Sequence, residues 1–273
     1  MARPPLLTPA EADLAYAAAQ CVVESHRRIV DFLRVGQTLA QIDTFVANTL
    51  DDLHCKSCFL HYTIPGQSKF PSHACLSMND CVVHGTAGYY TTPMKEGDLL
   101  KIDIGVWHRG WIGDAGWTYC FKKQSPLAKR LMDCGKESLR RGVAALQPGN
   151  MWIHWAQAVQ KHVEQECNFH CVRGLGGHGI GKKLHGPPFV ANVVPTYPGE
   201  WPDSMAKLLP GTLVAVEPMI AVGTGQTTQK PRHWPVFSED HSLTVHYEHD
   251  ILITERGPRV MSEGMDELPD VVG

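Results

Sequence analysis

The stretch from Leu99 to Trp117 reads LLKIDIGVWHRGWIGDAGW, and it decides the fold around the two aspartates that it contains. Apolar and aromatic runs flank a short polar segment with a glycine, which is typical of a β-hairpin. When the chain folds back in that segment, Asp103 comes opposite, or nearly opposite, Asp114. Cross-strand carboxylates about 5 Å apart repel each other, and a buried carboxylate is costly unless it is paired or bound to a metal. The hairpin therefore predicts a positive group between the aspartates, most simply a divalent cation.

Composition is that of a globular protein. The chain has 273 residues, of which 43% are hydrophobic and 19% charged, enough for one large domain or two small ones. A net charge of −3 provides no electrostatic case for binding nucleic acid or an anionic membrane. Nine cysteines without a disulfide-scaffold rhythm predict reduced thiols in the cytoplasm. We expect neither a secretory signal nor a membrane span, since no long apolar run occurs.

Helix signals divide the chain into two similar halves. Capping residues followed by proline or by apolar periodicity predict four helices, with a glycine turn inside each pair and a β-rich region after it. We predict a duplicated unit that forms one α+β domain with pseudo-twofold symmetry. The tail from about Gly257 is expected to add little to the core. The predicted helices run from Thr8 to about Leu33, from Thr38 to about Leu53, from Ser125 to about Leu146 and from Met151 to about Cys167.

The second half holds further candidate ligands. Glu217 and Glu248 lie in apolar, strand-like stretches, and His178 lies in the glycine-dense segment GLGGHGIG. That segment contains G-x-G-x-x-G, but glycines and prolines follow it where a dinucleotide site needs a helix. One histidine and four carboxylates suit Mn²⁺, Fe²⁺, Co²⁺ or Zn²⁺, and bridging carboxylates can hold two such ions about 3.5–4 Å apart. Taken singly, each acid could instead be a strand residue that faces water.

Five motifs in this order resemble those of type I methionine aminopeptidases, from Thr8 to about Glu255. They are Phe70-Pro71-Ser72 through Asn79 to His84-Gly85, the Asp103/Asp114 hairpin, Gly177-His178-Gly179-Ile180-Gly181, Val216-Glu217-Pro218-Met219 and Tyr247-Glu248-His249. The resemblance implies the α+β pita-bread fold, with two pseudo-symmetric halves of curved antiparallel sheet covered by helices. It implies a catalytic domain over residues 1–257, with halves of about 8–122 and 123–257, and a C-terminal tail at 258–273.

The resemblance also implies roles for individual side chains. Two divalent metal ions, of Co, Mn, Fe, Zn or Ni, would be held by five ligands, with Asp114 and Glu248 bridging. Glu217 would in addition shuttle a proton. His185 would stabilise the oxyanion and His84 would contact the substrate amide. The ligands are Asp103, Asp114, His178, Glu217 and Glu248, and the methionine pocket is lined by Phe70, Cys75 and Trp234.

The implied activity is removal of the initiator methionine from nascent proteins whose second residue is small. The implied setting is the cytoplasm, with a monomer acting on chain N-termini at the ribosome. Two alternatives stay open. Prolidases and other Xaa-Pro peptidases share the fold and the ligands, although they usually carry a large N-terminal domain and only about 80 residues precede His84 here. A non-catalytic peptide-binding module on the same fold would be expected to have lost ligands.

Several positions depart from the usual pattern of that family. Ala115 stands where a hydroxyl residue is common, Gly186 where an acid is common, and Asp250 where threonine is common. Leu184 occupies a position that is often aromatic, and the segment His61–Lys69 is longer than usual. No departure removes a ligand, so they bear on the shape of the pocket and on the groups around the ligands.

Overall fold

The computed structural model describes residues 4–273 as two pairs of helices, each followed by strands. The helices are α1 (Pro9–Phe32), α2 (Leu39–Asp52), α3 (Pro126–Ala145) and α4 (Ile153–Gln160), with a π-helical turn at Lys161–Glu166 and short 3-10 turns at Pro202–Met205 and Met265–Glu267. The strands are β1 (Lys56–Ser57), β2 (Cys75–Met78), β3 (Cys81–Val83), β4 (Leu99–His108), β5 (Trp111–Phe121), β6 (His170–Cys171), β7 (Gly176–Gly179), β8 (Gly186–Ala191), β9 (Leu213–Val216), β10 (Met219–Ala221), β11 (Thr227–Gln229), β12 (Val236–Ser238), β13 (Thr244–His246), β14 (His249–Thr254), β15 (Gly257–Val260) and β16 (Val271–Val272).

The helix boundaries follow from capping chemistry. Thr8 and Thr38 each accept a hydrogen bond from the backbone three residues on, and the side chains of Glu11 and Gln41 bond back to the cap. Ser125 caps α3 ahead of a proline. The first three predicted helices are confirmed to within two residues. The fourth is confirmed only in part, because it changes to π-helical hydrogen bonding at Lys161.

The predicted hairpin is β4 and β5. Its turn is made by Arg109 and Gly110, which both have positive φ, the conformation that a two-residue turn matching strand twist requires. Asp103 pairs with Gly116, and Asp114 pairs with Gly105. The two aspartates are therefore diagonal neighbours, offset by two residues, and they project from the same face of the hairpin because side chains alternate along a strand.

Helix α1 packs directly on this hairpin, and a glycine makes the close approach possible. A Cβ on Gly113 would lie 2.4 Å from the backbone nitrogen of Ala19. Ala15, Ala18 and Ala19 on the facing side of α1 are buried. Small residues on both surfaces thus allow the helix to pack closely on the strand that carries Asp114.

Two five-stranded sheets form the centre of the fold. The first has the order β1-β4-β5-β16, with β2 beside β4, and the second has the order β15-β14-β9-β7-β8. Two three-stranded sheets connect them, β13-β10-β6 and β11-β12-β3. Pairing is antiparallel except between β16 and β5. The predicted α+β class is confirmed. Among the described residues, none of the helices combines the length and the apolar character of a membrane span.

The expectation that the C-terminal tail adds little to the core is wrong. The boundary at residue 257 would cut a hairpin, because β15 pairs with β14. Beyond it, Met261 and Met265 are fully buried, and Val272 in β16 extends the first sheet beside β5. Lys136 on α3 also forms an ion pair with Asp270 at 2.6 Å. The acidic residues and glycines of the tail predict an exposed segment. Three apolar side chains of the tail are nevertheless buried against the domain.

Candidate active site

All ten predicted site residues line one cavity of about 130 Å³. They are Phe70, Cys75, His84, Asp103, Asp114, His178, His185, Glu217, Trp234 and Glu248. Four further residues complete the lining, namely Phe59, Tyr62, Ile64 and Leu184. The cavity thus joins a set of acids and histidines to an apolar wall.

Strand pairing brings the acids of the two halves together. The backbone N–H of Glu248 donates to the carbonyl of Gly116 at 2.8 Å, which holds the β13–β14 segment against the hairpin strand β5. Because Gly116 pairs with Asp103, Glu248 lies beside both aspartates. Cys75 is the partner of Asp103 on its other side, in β2.

The remaining two ligand candidates come from the second sheet. His178 in β7 pairs with Ala215 in β9, two residues before Glu217. Nε2 of His178 and Oε1 of Glu217 are 3.9 Å apart. β9 also pairs with β14, where Val216 faces His249. Glu217 directly follows β9 and Glu248 directly precedes β14. Both residues therefore lie at the same end of this strand pair, and both line the cavity.

The acids of the site are crowded with few compensating charges. Burial, offset in part by His246, raises the pKa of Asp103 to about 6. Burial and the neighbouring carboxylates raise the pKa of Asp114 and of Glu248 well above the ordinary range. Within residues 4–273, Oδ1 of Asp103 and Oδ1 of Asp114 are buried without a hydrogen-bond partner. This arrangement fits a divalent cation, which would supply the missing positive charge.

Ligand atoms also cluster at distances that suit metal binding. Asp114, His178 and Glu248 each offer an atom within 4.8 Å of the others, and so do Asp103, His246 and Glu248. The two triplets share Glu248. Oxygen and imidazole donors together suit Mn, Fe, Co, Ni or Zn ions.

Burial makes the imidazoles of the cavity weaker bases than free histidine. Burial lowers the pKa of His84 and of His178 to about 4, and it also lowers the pKa of His185. His84 has a φ of 56°, a left-handed conformation that asparagine, aspartate and histidine adopt more readily than other non-glycine residues. Neutral imidazoles can bind a metal or donate one hydrogen bond without bringing charge into the cavity.

The apolar wall is built from aromatic rings. Phe70 meets Trp234 edge to face with centroids 5.2 Å apart, and Phe59 meets Phe70 at 6.2 Å. The indole N–H of Trp234 donates to the carbonyl of Ser68 at 2.9 Å, so the long segment His61–Lys69 is attached to this wall. The segment also supplies Tyr62 and Ile64 to the cavity.

His246 is a site residue that the sequence analysis missed. It is buried, and its Nε2 is 3.1 Å from Oε2 of Glu217 and 3.7 Å from Oε2 of Glu248. A signal was available, because His246 precedes Glu248 by two residues, and residues two apart in a strand share a face. The histidine-rich context of that strand obscured it.

Asp250 is a fifth carboxylate near the ligands, and it is buried. Its Oδ2 accepts the backbone N–H of Asp114 at 2.8 Å, and burial raises its pKa. The side chain therefore connects β14 to the hairpin strand that carries Asp114. Of the other departures, Ala115 is buried with its carbonyl 3.3 Å from Nε2 of His26, and Leu184 lines the cavity.

Comparison with known proteins defines the class. The model of metallopeptidase family M24 matches residues 13–255, and the chain belongs to this family. It is 32% identical over 247 residues to the methionine aminopeptidase of Aquifex aeolicus, an alignment that covers 90% of this chain and 93% of that one. The crystal structure of the methionine aminopeptidase of Thermotoga maritima superposes with a TM-score of 0.86 at 28% identity, covering 95% of this chain and 99% of that one.

The fold is shared more widely than the sequence. An Xaa-Pro dipeptidase of Bacillus anthracis superposes with a TM-score of 0.73 at 20% identity. That alignment covers 98% of this chain but 64% of the dipeptidase. These likenesses confirm the predicted pita-bread fold, and they place the chain nearer to the methionine aminopeptidases in sequence and in length.

Proposed function

We propose that this protein is a methionine aminopeptidase that removes the initiator methionine from nascent proteins with a small second residue. The observation that carries the proposal is the single cavity in which five metal-ligand candidates, three of them buried, adjoin an aromatic wall. The similarity to methionine aminopeptidases over nine-tenths of the chain supports it. All five ligand candidates are present, which speaks against a non-catalytic module.

The ligands of the metal centre are proposed to be Asp103, Asp114, His178, Glu217 and Glu248. These residues would hold two divalent ions, of Co, Mn, Fe, Zn or Ni; the two clusters of ligand atoms that have Glu248 in common support a metal centre at this place. When bound, such a pair of ions activates water and polarises the scissile carbonyl. Among the described residues that line the cavity, no lysine or arginine balances the charge of the acids.

The protein's own groups would act around that centre. The carboxylate of Glu217 accepts the proton of the attacking water and later passes it to the leaving amine. His185, as a neutral imidazole, donates to the developing oxyanion, and His84 donates to the substrate amide. The free α-amine of the substrate would bind beside Asp103. An enzyme that needs this amine removes only the first residue.

The methionine side chain would occupy the aromatic end of the cavity. Phe70, Cys75 and Trp234 line that end, and a thioether packs favourably against aromatic ring edges. We expect a bulky second residue to clash beyond the metal centre, so that substrates with a small second residue are preferred.

Peptide hydrolysis tests the proposal against its alternatives. Metal-free protein is reconstituted with Mn²⁺, Fe²⁺, Co²⁺, Ni²⁺ or Zn²⁺ and assayed with Met-Ala-Ser, Met-Lys-Ser and Ala-Pro peptides. We expect release of methionine from Met-Ala-Ser and much slower release from Met-Lys-Ser. Preferential cleavage of the Ala-Pro peptide would assign an Xaa-Pro peptidase instead. If no peptide is hydrolysed with any of the metals, the result would favour the non-catalytic peptide-binding module.

We further propose that the enzyme works as a cytoplasmic monomer on chains that emerge from the ribosome, because initiator methionine is exposed there. Its catalytic unit is proposed to consist of pseudo-halves at about 8–122 and 123–257, with the tail folded onto them. Sedimentation of the protein alone tests the monomeric state, and sedimentation with ribosomes bearing short nascent chains tests the association with the ribosome.

A further inference from the structure

A second group of metal-ligating side chains lies outside the cavity, where α3 meets the π-helical turn at Lys161–Glu166. It consists of Cys134, His162 and Cys167. One atom from each lies within 4.8 Å of the others. None of the three lines the catalytic cavity. This group therefore has no part in the proposed peptidase chemistry.

The spacing within the group matches a tetrahedral ion. Sγ of Cys167 is 3.5 Å from Nε2 of His162. With Zn–S near 2.3 Å and Zn–N near 2.0–2.1 Å, a tetrahedral centre separates a sulfur from a nitrogen ligand by about 3.5 Å. Sγ of Cys134 lies within the same cluster, and Cys134 is buried. Little movement would bring three donors around one ion.

The π-helical turn explains why His162 and Cys167 meet. In an α-helix, with 3.6 residues per turn, residues five apart project to different sides. Here the N–H of Cys167 donates to the carbonyl of His162 at 3.0 Å, the i→i+5 bond of a π-turn. The wider turn stacks Cys167 over His162. Single π-turns are frequent at functional sites.

The carboxylate of Glu166 contacts the second ring nitrogen of His162 and so orients the imidazole. Nδ1 of His162 is 3.1 Å from Oε2 of Glu166, which leaves Nε2 directed at Cys167. Glu166 is in turn held by the guanidinium of Arg141. Metal-ligating histidines nearly always donate their second nitrogen to such a carboxylate or to a carbonyl. The group therefore has both the ligands and the supporting contact of a metal site.

Access is provided by a surface pocket of about 370 Å³, which Cys134, His162, Glu166 and Cys167 help to line. Asp133 and Glu137 lie on the same rim, beside Arg130. An ion held by three protein ligands would have its fourth position open to this pocket. Open fourth positions are typical of zinc sites with three protein ligands.

We propose that Cys134, His162 and Cys167 form a Cys₂His site for Zn²⁺, separate from the oxygen-rich catalytic centre. The choice of ion follows from the ligands, since thiolate and imidazole donors select Zn²⁺ over Mn²⁺ or Mg²⁺. The site would join α3 to the end of the α4 segment. Its occupancy is independent of the proposed peptidase activity.

The test uses the full chain, stripped of metal under reducing conditions and titrated with Co²⁺ and with Zn²⁺. We expect a thiolate-to-cobalt charge-transfer band, and zinc–sulfur scattering at about 2.3 Å in the X-ray absorption spectrum of the zinc form, beside the oxygen and nitrogen ligands of the catalytic centre. Cys167→Ser should abolish the band and lower the zinc content by one ion per chain. Glu166→Gln should keep the band and weaken zinc binding by about 10- to 100-fold.

A matched control is Cys55→Ser, which alters a different group, Cys21, Cys55 and His108. This variant should retain the band and the zinc content. Hydrolysis of Met-Ala-Ser by each variant reports that it is folded, because the altered residues lie outside the catalytic cavity. The proposal is overturned if Cys167→Ser keeps the band, if Cys55→Ser removes it, or if Cys134 and Cys167 are found joined in a disulfide in place of a metal.

Discussion

The phenol oxygen of Tyr62 lies 2.6 Å from Nδ1 of His185. Burial raises the pKa of Tyr62, so the phenol keeps its proton and is able either to donate to Nδ1 or to accept from an Nδ1–H. A histidine that accepts at Nδ1 must carry its own proton on Nε2. When the phenol donates, Tyr62 favours the tautomer of His185 that presents an Nε2–H to the developing oxyanion.

Removal of this hydroxyl should slow the chemical step. We expect Tyr62→Phe to lower kcat for Met-Ala-Ser by about tenfold, because a hydrogen bond of about 1–1.5 kcal/mol that favours the productive tautomer is lost. KM should change little, since the phenyl ring still fills the wall. Steady-state kinetics provide the measurement. Tyr16→Phe, which alters a tyrosine bonded to Glu263 away from the cavity, is the control; an unchanged kcat in Tyr62→Phe would remove the proposed role.

Neutralising one carboxylate should disable the metal centre. We expect Asp103→Asn to weaken metal binding and to lower kcat/KM by about 10²–10³-fold, the order of 3–5 kcal/mol that a broken buried charge pairing costs. Metal content after dialysis and hydrolysis in metal-replete buffer are measured together. Asp13→Asn, at an exposed position of α1, should behave as wild type. Full activity of Asp103→Asn would contradict the assignment of the metal ligands.

We expect His246 to contribute to metal binding and turnover through its contacts with Glu217 and Glu248. We expect His246→Leu to reduce both metal affinity and kcat by at least about tenfold, because the imidazole 3.1 Å from Glu217 supplies a buried polar contact. His246→Gln retains a donor and should recover part of both. Isothermal titration with Mn²⁺ and kinetics on the same samples test this, and equal behaviour of the two variants would show that the imidazole matters only by its volume.

The contact between α1 and the hairpin should be sensitive to one methyl group. We expect Gly113→Ala to destabilise the protein by about 1–3 kcal/mol, because its Cβ would meet the backbone of Ala19 at 2.4 Å. Gly88→Ala, where a Cβ has nothing within 4 Å, is the matched control. Urea unfolding of both variants measures the difference. Equal midpoints would mean that α1 moves away at no cost.

Metal removal should make stability depend on pH. The pKa of Asp103 is raised from 3.8 to about 6 in the metal-free fold, so its contribution is fully present below pH 3.8 and is lost as the pH rises through about 6. The raised pKa values of Asp114 and Glu248 act in the same direction. We therefore expect the difference in Tm between metal-loaded and metal-free protein to grow from pH 5 to pH 7. Thermal unfolding at each pH measures it, and a constant difference would argue against a shared carboxylate centre.

The sequence by itself determined the features that depend on near neighbours. Helix starts at Thr8 and Thr38 follow from capping boxes, and the β4–β5 hairpin follows from its alternation and its turn. Two aspartates on one face of a hairpin already require a counter-charge, whatever surrounds them. The motifs around His178, Glu217 and Glu248 indicated the rest of the ligand set.

Only the tertiary structure decided which distant groups meet. The approach of His246 to Glu217, the hydroxyl of Tyr62 at His185 and the burial of Met261 each depend on packing between segments far apart in the chain. The π-turn that places Cys167 over His162 differs from an α-helix by one hydrogen-bond step, which apolar periodicity does not register. Local pattern specifies an element and its faces. The distances between the functional groups of a site are set only when those faces pack against one another in one core.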